Sequence, residues 1–420
     1  MAVFDVKLIR ENPEEVRKML EKRHSSFPLD ELIKKDEEWR KKLYELQQLR
    51  HERNKVSEEL ANERNEDKIN RMKQLKQEIK RLEEETASLE REVNSLLMKC
   101  PNMLHPDVPE GKDEKDNIEI RRWGEPVKKS FELKPHGELI EALGLGDFEK
   151  AAKVAGRGFN YLFSELALLD LALQRFALDF LINKGYRLVL PPYMLRRKAY
   201  EGIIDLDDFE KVMYKIEEED LYLIPTSEHP LIALYADEVI PEEDLPVRMV
   251  GLSTAFRKEI GAHGVDTRGL FRMHQFNKVE QIIICKPEDS EKHFEEMHAN
   301  IEEIYKKLGI PFRTVEICSG DLSIKNYRQY DIEAWFPRQG KYAEVGSTSN
   351  CTDFQSRGLN IKYGKRGGEK EYVHTLNATG LATSRAIVAI LENYQNEDGT
   401  ITVPEVLIPY MNGVKVIGKK

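Results

Sequence analysis

The most constraining feature is a run from Asp30 to Leu97 that contains neither Gly nor Pro and is dominated by Glu, Lys, Arg, Leu and Gln. Apolar residues recur along it at three- and four-residue steps. In the first half they are Trp39, Leu43, Leu46, Leu49, Val56 and Leu60, with Arg53 interrupting. In the second they are Met72, Leu75, Ile79, Leu82, Leu89, Val93 and Leu96, with Thr86 in the same seam. Such a stripe is of the coiled-coil kind. Residues 62–67 are polar and lack it, so the run predicts two antiparallel helices with a tip near residue 65. Each helix would hold about 33 residues and extend roughly 50 Å. A hairpin like this serves equally as a dimerisation coil, a scaffold or a docking arm.

The texture changes near residue 100. The chain opens with a short helical lead over residues 1–27, with Asn12-Pro13-Glu14-Glu15 as a helix start. After Leu97, three prolines fall within Cys100–Pro109, and a charged run follows to Arg122. Beyond it, helical patterns alternate with short β-rich runs: Tyr186–Leu190, Val279–Ile284 and Phe312–Ile317. The expected organisation is an N-terminal domain over 1–100 carrying the hairpin at about 30–97, a linker over 101–120, and one α+β domain over 121–420. Lys415–Lys420 reads as a solvated tail.

Charge is distributed unevenly. The net charge is −10, yet residues 31–100 balance 17 Lys/Arg against 17 Asp/Glu. The hairpin is therefore neutral and studded with cations that can meet phosphates locally. The first residues lack an apolar stretch of signal-peptide length, and no later stretch approaches the roughly 18 apolar residues of a membrane span. Cys100, Cys285, Cys318 and Cys351 are scattered, without a Cys-x-x-Cys pair. No disulfide framework and no zinc are expected, and a cytoplasmic location is.

Neither a Gly-x-x-x-x-Gly-Lys-Ser/Thr phosphate loop nor a Gly-x-Gly-x-x-Gly turn after a strand is present. A nucleotide would have to be held by arginines and a carboxylate-bound metal. The densest candidate region is Phe256–Gln281, a glycine-rich loop between two β-like flanks. Strand alternation puts Arg257 and Glu259 on one face. An Arg forks onto phosphate, a Glu accepts from an amino group, and Phe276 offers a stacking surface. The same residues also suit a surface ion pair and a core Phe.

Phe256-Arg-x-Glu, the loop, and Arg272-Met-His-Gln-Phe276 resemble motif 2 of class II aminoacyl-tRNA synthetases. Gly380–Gln395 resembles motif 3, and the helix from about Glu165 to Lys184 followed by Tyr186–Pro192 resembles motif 1. Leu223–Pro230, Glu344–Asn350, Thr352–Arg357 and Thr375–Gly380 narrow the resemblance to the seryl-tRNA synthetase family. It covers essentially the whole chain. The resemblance implies an antiparallel sheet flanked by helices and an N-terminal two-helix coiled-coil arm. It implies ATP-dependent activation of L-serine and transfer to serine tRNA, with selenocysteine tRNA a further candidate acceptor.

Residue by residue, it implies that Arg257 holds the ATP α-phosphate and Arg385 the γ-phosphate end, the two catalytic arginines. Glu259 would meet the adenine amino group and Phe276 its ring, with Glu344, Val345, Gly346 and Ser347 completing the ATP site. Glu344 and Ser347 would ligate Mg²⁺. Thr226, Ser227, Glu228, Arg257, Glu280, Asn377 and Thr379 would surround serine. His274 reads as a structural partner within its strand and His263 as a loop residue. The arm would grip tRNA, and the 165–192 helix–strand segment would form a homodimer. Ala378-Thr379-Gly380 and Ser384 stand where bacterial members more often have Gly-Ser-Gly and a later Gly, which points to an archaeal or eukaryotic-type branch. Two other readings remain at this point: a serine-activating paralogue outside translation, and a non-catalytic binding homologue.

Overall fold

The two sequence textures become two units. The computed structural model describes residues 3–62, 65–126, 128–204, 211–258, 269–365 and 367–418. One unit comprises Met1–Glu21 and Ser25–Pro101, the other Lys22–His24 and Asn102–Lys420.

In the first unit, helix α1 spans Leu29–Asn62 and helix α2 spans Glu66–Leu97. Asn65 caps α2, its side chain accepting from the Asp67 backbone N–H at 2.9 Å. Leu46, Ile79 and Leu82 meet in the seam, with Leu49 against them. Lys42–Glu85 at 2.7 Å, Arg50–Glu83 and Arg71–Glu52 at 2.8 Å, and Lys35–Glu92 tie the helices in antiparallel register. Exposed pairs of this kind contribute little stability each. They match the charge balance read from the sequence and fix which turns face each other.

The second unit is α+β and is built on an eight-stranded sheet. Its strands are β1 (Ile118–Trp123), β2 (Arg187–Val189), β3 (Val247–Phe256), β4 (Gln275–Cys285), β5 (Phe312–Glu316), β6 (Arg328–Phe336), β7 (Lys341–Asn350) and β8 (His374–Ala382). The order is β1-β5-β6-β7-β8-β4-β3-β2, antiparallel throughout except for the parallel β2–β3 pair. Helices α3 (Ser164–Asn183), α4 (Ser290–Leu308) and α5 (Thr383–Asn393) pack their apolar residues into the main core. Alternation along β4 sends Gln281 to the helical side, where it donates to the Met297 carbonyl at 3.2 Å and accepts from Asn300 at 2.9 Å. Lys278 and Glu280 point to the other side, toward Thr226.

Two expectations need correction. Strand β1 begins at Ile118, inside the stretch that reads as linker. The C-terminal segment is not a solvated tail: Val416–Ile417 pairs with Ile401–Thr402, and Ile417 is fully buried. Its flanking lysines hid a two-residue apolar strand too short to show a period. Gly418 turns away at φ 81°, a left-handed conformation that suits glycine, against Leu143.

Candidate active site

Motif-like segments distant in the chain converge because β4, β7 and β8 lie near the middle of the sheet. A cavity of about 160 Å³ is lined by Arg257, Phe276, Lys278, Glu344, Val345, Gly346, Ser347, Thr379 and Arg385, with Phe271, Arg272, Met273, Ala382 and Ser384 completing it. Arg257 follows β3, and Arg385 stands in the first turn of α5.

The Arg257 Nε donates to the Pro225 carbonyl at 3.2 Å, and its guanidinium lies 5.3 Å from the Phe276 ring centroid. Such stacking restrains the plane of the guanidinium fork. Arg385 Nη1 donates to the Glu344 backbone carbonyl at 3.0 Å and pairs with its carboxylate at 3.1 Å. Glu344 and Ser347 are three apart, yet both line the cavity. A register shift between Glu344 and Gly346 reconciles that spacing with strand alternation. The Ser347 N–H donates to Thr379 Oγ1 at 3.4 Å. A Cβ on Gly346 would approach Thr379 Cβ to 3.0 Å, so glycine lets these strands carry both hydroxyls close together.

Behind this cavity lies a second polar layer. Thr226, Ser227, Glu228, Glu280 and Asn377 are buried and do not line the cavity themselves. The link is Lys278, whose ammonium is 2.5 Å from Glu280 Oε2 and donates to Thr226 Oγ1 at 3.4 Å. Glu228 Oε1 accepts from Lys325 at 2.5 Å and from Gln355 at 2.7 Å. Gln355 in turn accepts from Thr375 at 2.6 Å. Segment 226–231 approaches β3 closely, and a Cβ on Gly251 would meet Leu231 at 2.7 Å and Ser227 Oγ at 3.0 Å.

The two carboxylates differ. Burial pushes the Glu228 carboxyl up, but Lys325 and its hydrogen bonds outweigh burial and hold it down at about 2. Burial dominates at Glu280, whose carboxyl is raised even though Lys278 opposes the shift. Asp331, opposite Ser347 in register, is pushed well above the usual carboxylate range by burial and by Glu344. His229 is driven down to about 3 by burial, so it is neutral at pH 7.

The comparisons bear on the whole chain. The profile described as "tRNA synthetase class II core domain (G, H, P, S and T)" matches residues 211–394, and "Seryl-tRNA synthetase N-terminal domain" matches residues 3–104. The serine–tRNA ligase of Methanocella arvoryzae is 49% identical over 99% of this chain and 100% of its own. The chain belongs to the seryl-tRNA synthetase family. The serine–tRNA ligase of Pyrococcus horikoshii is 48% identical over 99% of this chain and 98% of its own. The crystal structure of seryl-tRNA synthetase from that organism complexed with ATP superimposes with a TM-score of 0.94, covering 99% of both chains. The cytoplasmic serine–tRNA ligase from Naegleria fowleri in complex with AMP is 37% identical, with a TM-score of 0.87 over 98% of this chain and 96% of that one. The expected family and α+β fold class are both borne out.

Glu259 and His263 lie outside the described residues. His274 falls one residue before β4 rather than within it. Its Nδ1 lies 2.7 Å from the Tyr214 hydroxyl and 2.9 Å from the Arg257 carbonyl, which fixes the base of the hairpin that carries Arg257. Sequence reasoning missed Lys278, Lys325 and Gln355. Lys278 was accessible, since it stands two residues before Glu280 on the same strand face. Lys325 belongs to an irregular loop, and no spacing rule connects it to Glu228.

Proposed function

We propose that this chain activates L-serine with ATP and transfers the seryl group to serine tRNA. The observation that carries the reading is the convergence of Arg257 and Arg385 on one cavity with Glu344, Ser347 and Thr379. Arg257 would take the α-phosphate and the serine carboxylate, and Arg385 the γ-phosphate end. Phe276 would stack on adenine beside Val345 and Gly346, with Glu259 at the adenine amino group. Glu344 and Ser347 fit Mg²⁺, which favours one carboxylate or two together with substrate phosphates over an all-protein cage. Held by these two residues, the ion would supply charge neutralisation to the triphosphate.

Serine would sit with its ammonium toward Glu280, Thr226 and Glu228, and its hydroxyl toward Thr379, with Ser227 and Asn377 in the surrounding wall. A serine carboxylate oxygen attacks the α-phosphorus in line. The bond from that phosphorus to the bridging oxygen breaks, and pyrophosphate leaves. The terminal ribose hydroxyl of tRNA then attacks the seryl carbonyl and releases AMP. The chain positions the reactants and neutralises charge, which such displacements require most. All residues needed for activation are present in the sequence, which leaves the non-catalytic reading without support.

The N-terminal arm (1–100) would hold tRNA through backbone and shape. Residues 101–117 would serve as linker and 118–420, from strand β1 onward, as the catalytic domain. Exposed Leu171, Ile182, Leu188 and Leu190 suit the 165–192 segment to a homodimer. Among the described residues no helix is long and apolar enough to cross a membrane, in keeping with a cytoplasmic location.

Serine-dependent ATP–pyrophosphate exchange tests the first step. Exchange with threonine in place of serine would refute the specificity. Deleting residues 35–95 should leave exchange intact and abolish tRNA charging; charging that survives the deletion would refute the arm. Thr379→Val should lower serine kcat/KM about 10- to 100-fold, the effect of an unpaired buried hydroxyl, with alanine little affected. An equal loss for both amino acids would remove Thr379 from hydroxyl recognition.

A further inference from the structure

We propose that Lys278 is a place-holding cation whose ammonium sits where the substrate ammonium will bind, and that substrate displaces it toward the reacting carboxylate. The proposal rests on the serine-pocket reading above and concerns how that pocket tells an amino acid from an amine.

The geometry of the Lys278–Glu280 pair is the starting point. Glu280 is 1% exposed, and Lys278 is its near cation at 2.5 Å. The contact lacks hydrogen-bond geometry: Glu280 Oε2 makes no hydrogen bond among the described residues. A buried carboxylate oxygen in that condition favours a better-placed donor. Ser227 Oγ, Ser253 Oγ and His229 Nδ1 are likewise buried without hydrogen-bond partners among the described residues. This layer is therefore polar and under-satisfied.

The second buried pair differs. Glu228 is held by Lys325 and Gln355 in hydrogen bonds, and Lys325 does not line the cavity. Lys278 does line it, beside Arg257, Ser347 and Arg385. It stands between the cavity and Glu280, on a flexible four-carbon stem. Its Nζ also contacts Thr226 Oγ1, a second group assigned to the substrate ammonium.

Charge balance gives the exchange its logic. Glu228 with Lys325 and Glu280 with Lys278 are two neutral pairs. A zwitterionic amino acid adds one cation and one anion. Its ammonium takes Glu280, and its carboxylate gives the released Lys278 ammonium a new partner beside Arg257. An amine without a carboxylate would evict Lys278 and leave it uncompensated, which is costly in a desolvated site. Lys278 thereby selects for the amino-acid zwitterion.

The test uses the full chain with Lys278→Met and Lys278→Gln, the second serving if the first does not fold. Serine kcat/KM and the ATP KM are measured by pyrophosphate exchange, together with inhibition by serinol, which keeps the ammonium and hydroxyl but has no carboxylate. The preference for serine over serinol should narrow at least about tenfold in both variants, with the ATP KM within about threefold of wild type. Lys278→Arg should retain part of the preference.

The acid limb of serine kcat/KM should also move to higher pH in the Met and Gln variants. Glu280 is faced by Lys278 on its own strand, Glu228 from the 228–233 helix, Lys325 from the loop before β6, and Thr379 across the sheet. Burial already raises its carboxyl and Lys278 opposes that, so removing the lysine leaves the proton bound to higher pH. An unchanged serine-to-serinol preference, or a uniform fall in kcat with the pH profile unmoved, would overturn the proposal. Glu280→Gln separates the two levels. If it leaves the serine KM unaltered, the pocket reading fails. If it raises the serine KM while Lys278 variants keep the wild-type preference, the place-holder alone fails.

Discussion

Arg257→Ala should lower kcat/KM for serine-dependent ATP–pyrophosphate exchange by about 10³-fold or more. Removing one preorganised donor from a developing oxyanion typically costs 10²–10³. Arg257 should exceed that, because one guanidinium serves both the attacking carboxylate and the α-phosphate. The structure sets it up for this: the Pro225 carbonyl fixes the Nε end, and the Phe276 face supports the plane. Arg257→Lys should recover little, since an ammonium keeps the charge but loses the fork and the stacking. Steady-state exchange at varied serine and ATP, with thermal melting as the control for folding, reads the effect. An Arg257→Ala enzyme retaining a tenth of wild-type kcat/KM would remove Arg257 from phosphate chemistry.

The parts of this molecule legible in its sequence are those with a period or a short motif. The α1–α2 hairpin announces itself through its apolar stripe, and the tip near residue 65 falls between Asn62 and Glu66. Strands β3, β4 and β5 appear as β-rich runs flanked by turns, and α3 spans almost the residues that the motif 1 resemblance marks. The C-terminal strand was illegible because two apolar residues among lysines and glycines carry no period. Lys325 was illegible for a different reason. Its significance comes from Glu228, nearly a hundred residues away, and only the folded sheet brings the two within 2.5 Å. Lys278 falls in between: alternation places it beside Glu280, but only the geometry of the pair reveals a poorly seated cation.

The Lys325–Glu228 pair should have the largest effect on stability. Lys325→Met is expected to destabilise the protein by about 3–5 kcal/mol, the cost of leaving a buried charge without its partner. The double variant Lys325→Met/Glu228→Gln should regain most of that stability. A neutral amide needs no counter-charge, and Gln355 remains beside it. It should stay inactive, since Glu228 is assigned to the serine ammonium, so stability and activity separate. The pH dependence follows from the depressed carboxyl. Glu228 falls from an ordinary 4.5 to about 2 on folding. Its contribution, roughly 3 kcal/mol, is therefore complete above about pH 4.5 and is lost as pH falls toward 2. The advantage of wild type over Lys325→Met should shrink through that window, while the double variant lacks this component. Urea unfolding of the three proteins at pH 7 and at pH 3, followed through the transition of the catalytic unit, measures both effects. A Lys325→Met protein within about 1 kcal/mol of wild type at pH 7 would mean that Glu228 takes up a proton at little cost. The polar layer behind the cavity would then be held by its hydrogen bonds rather than by charge.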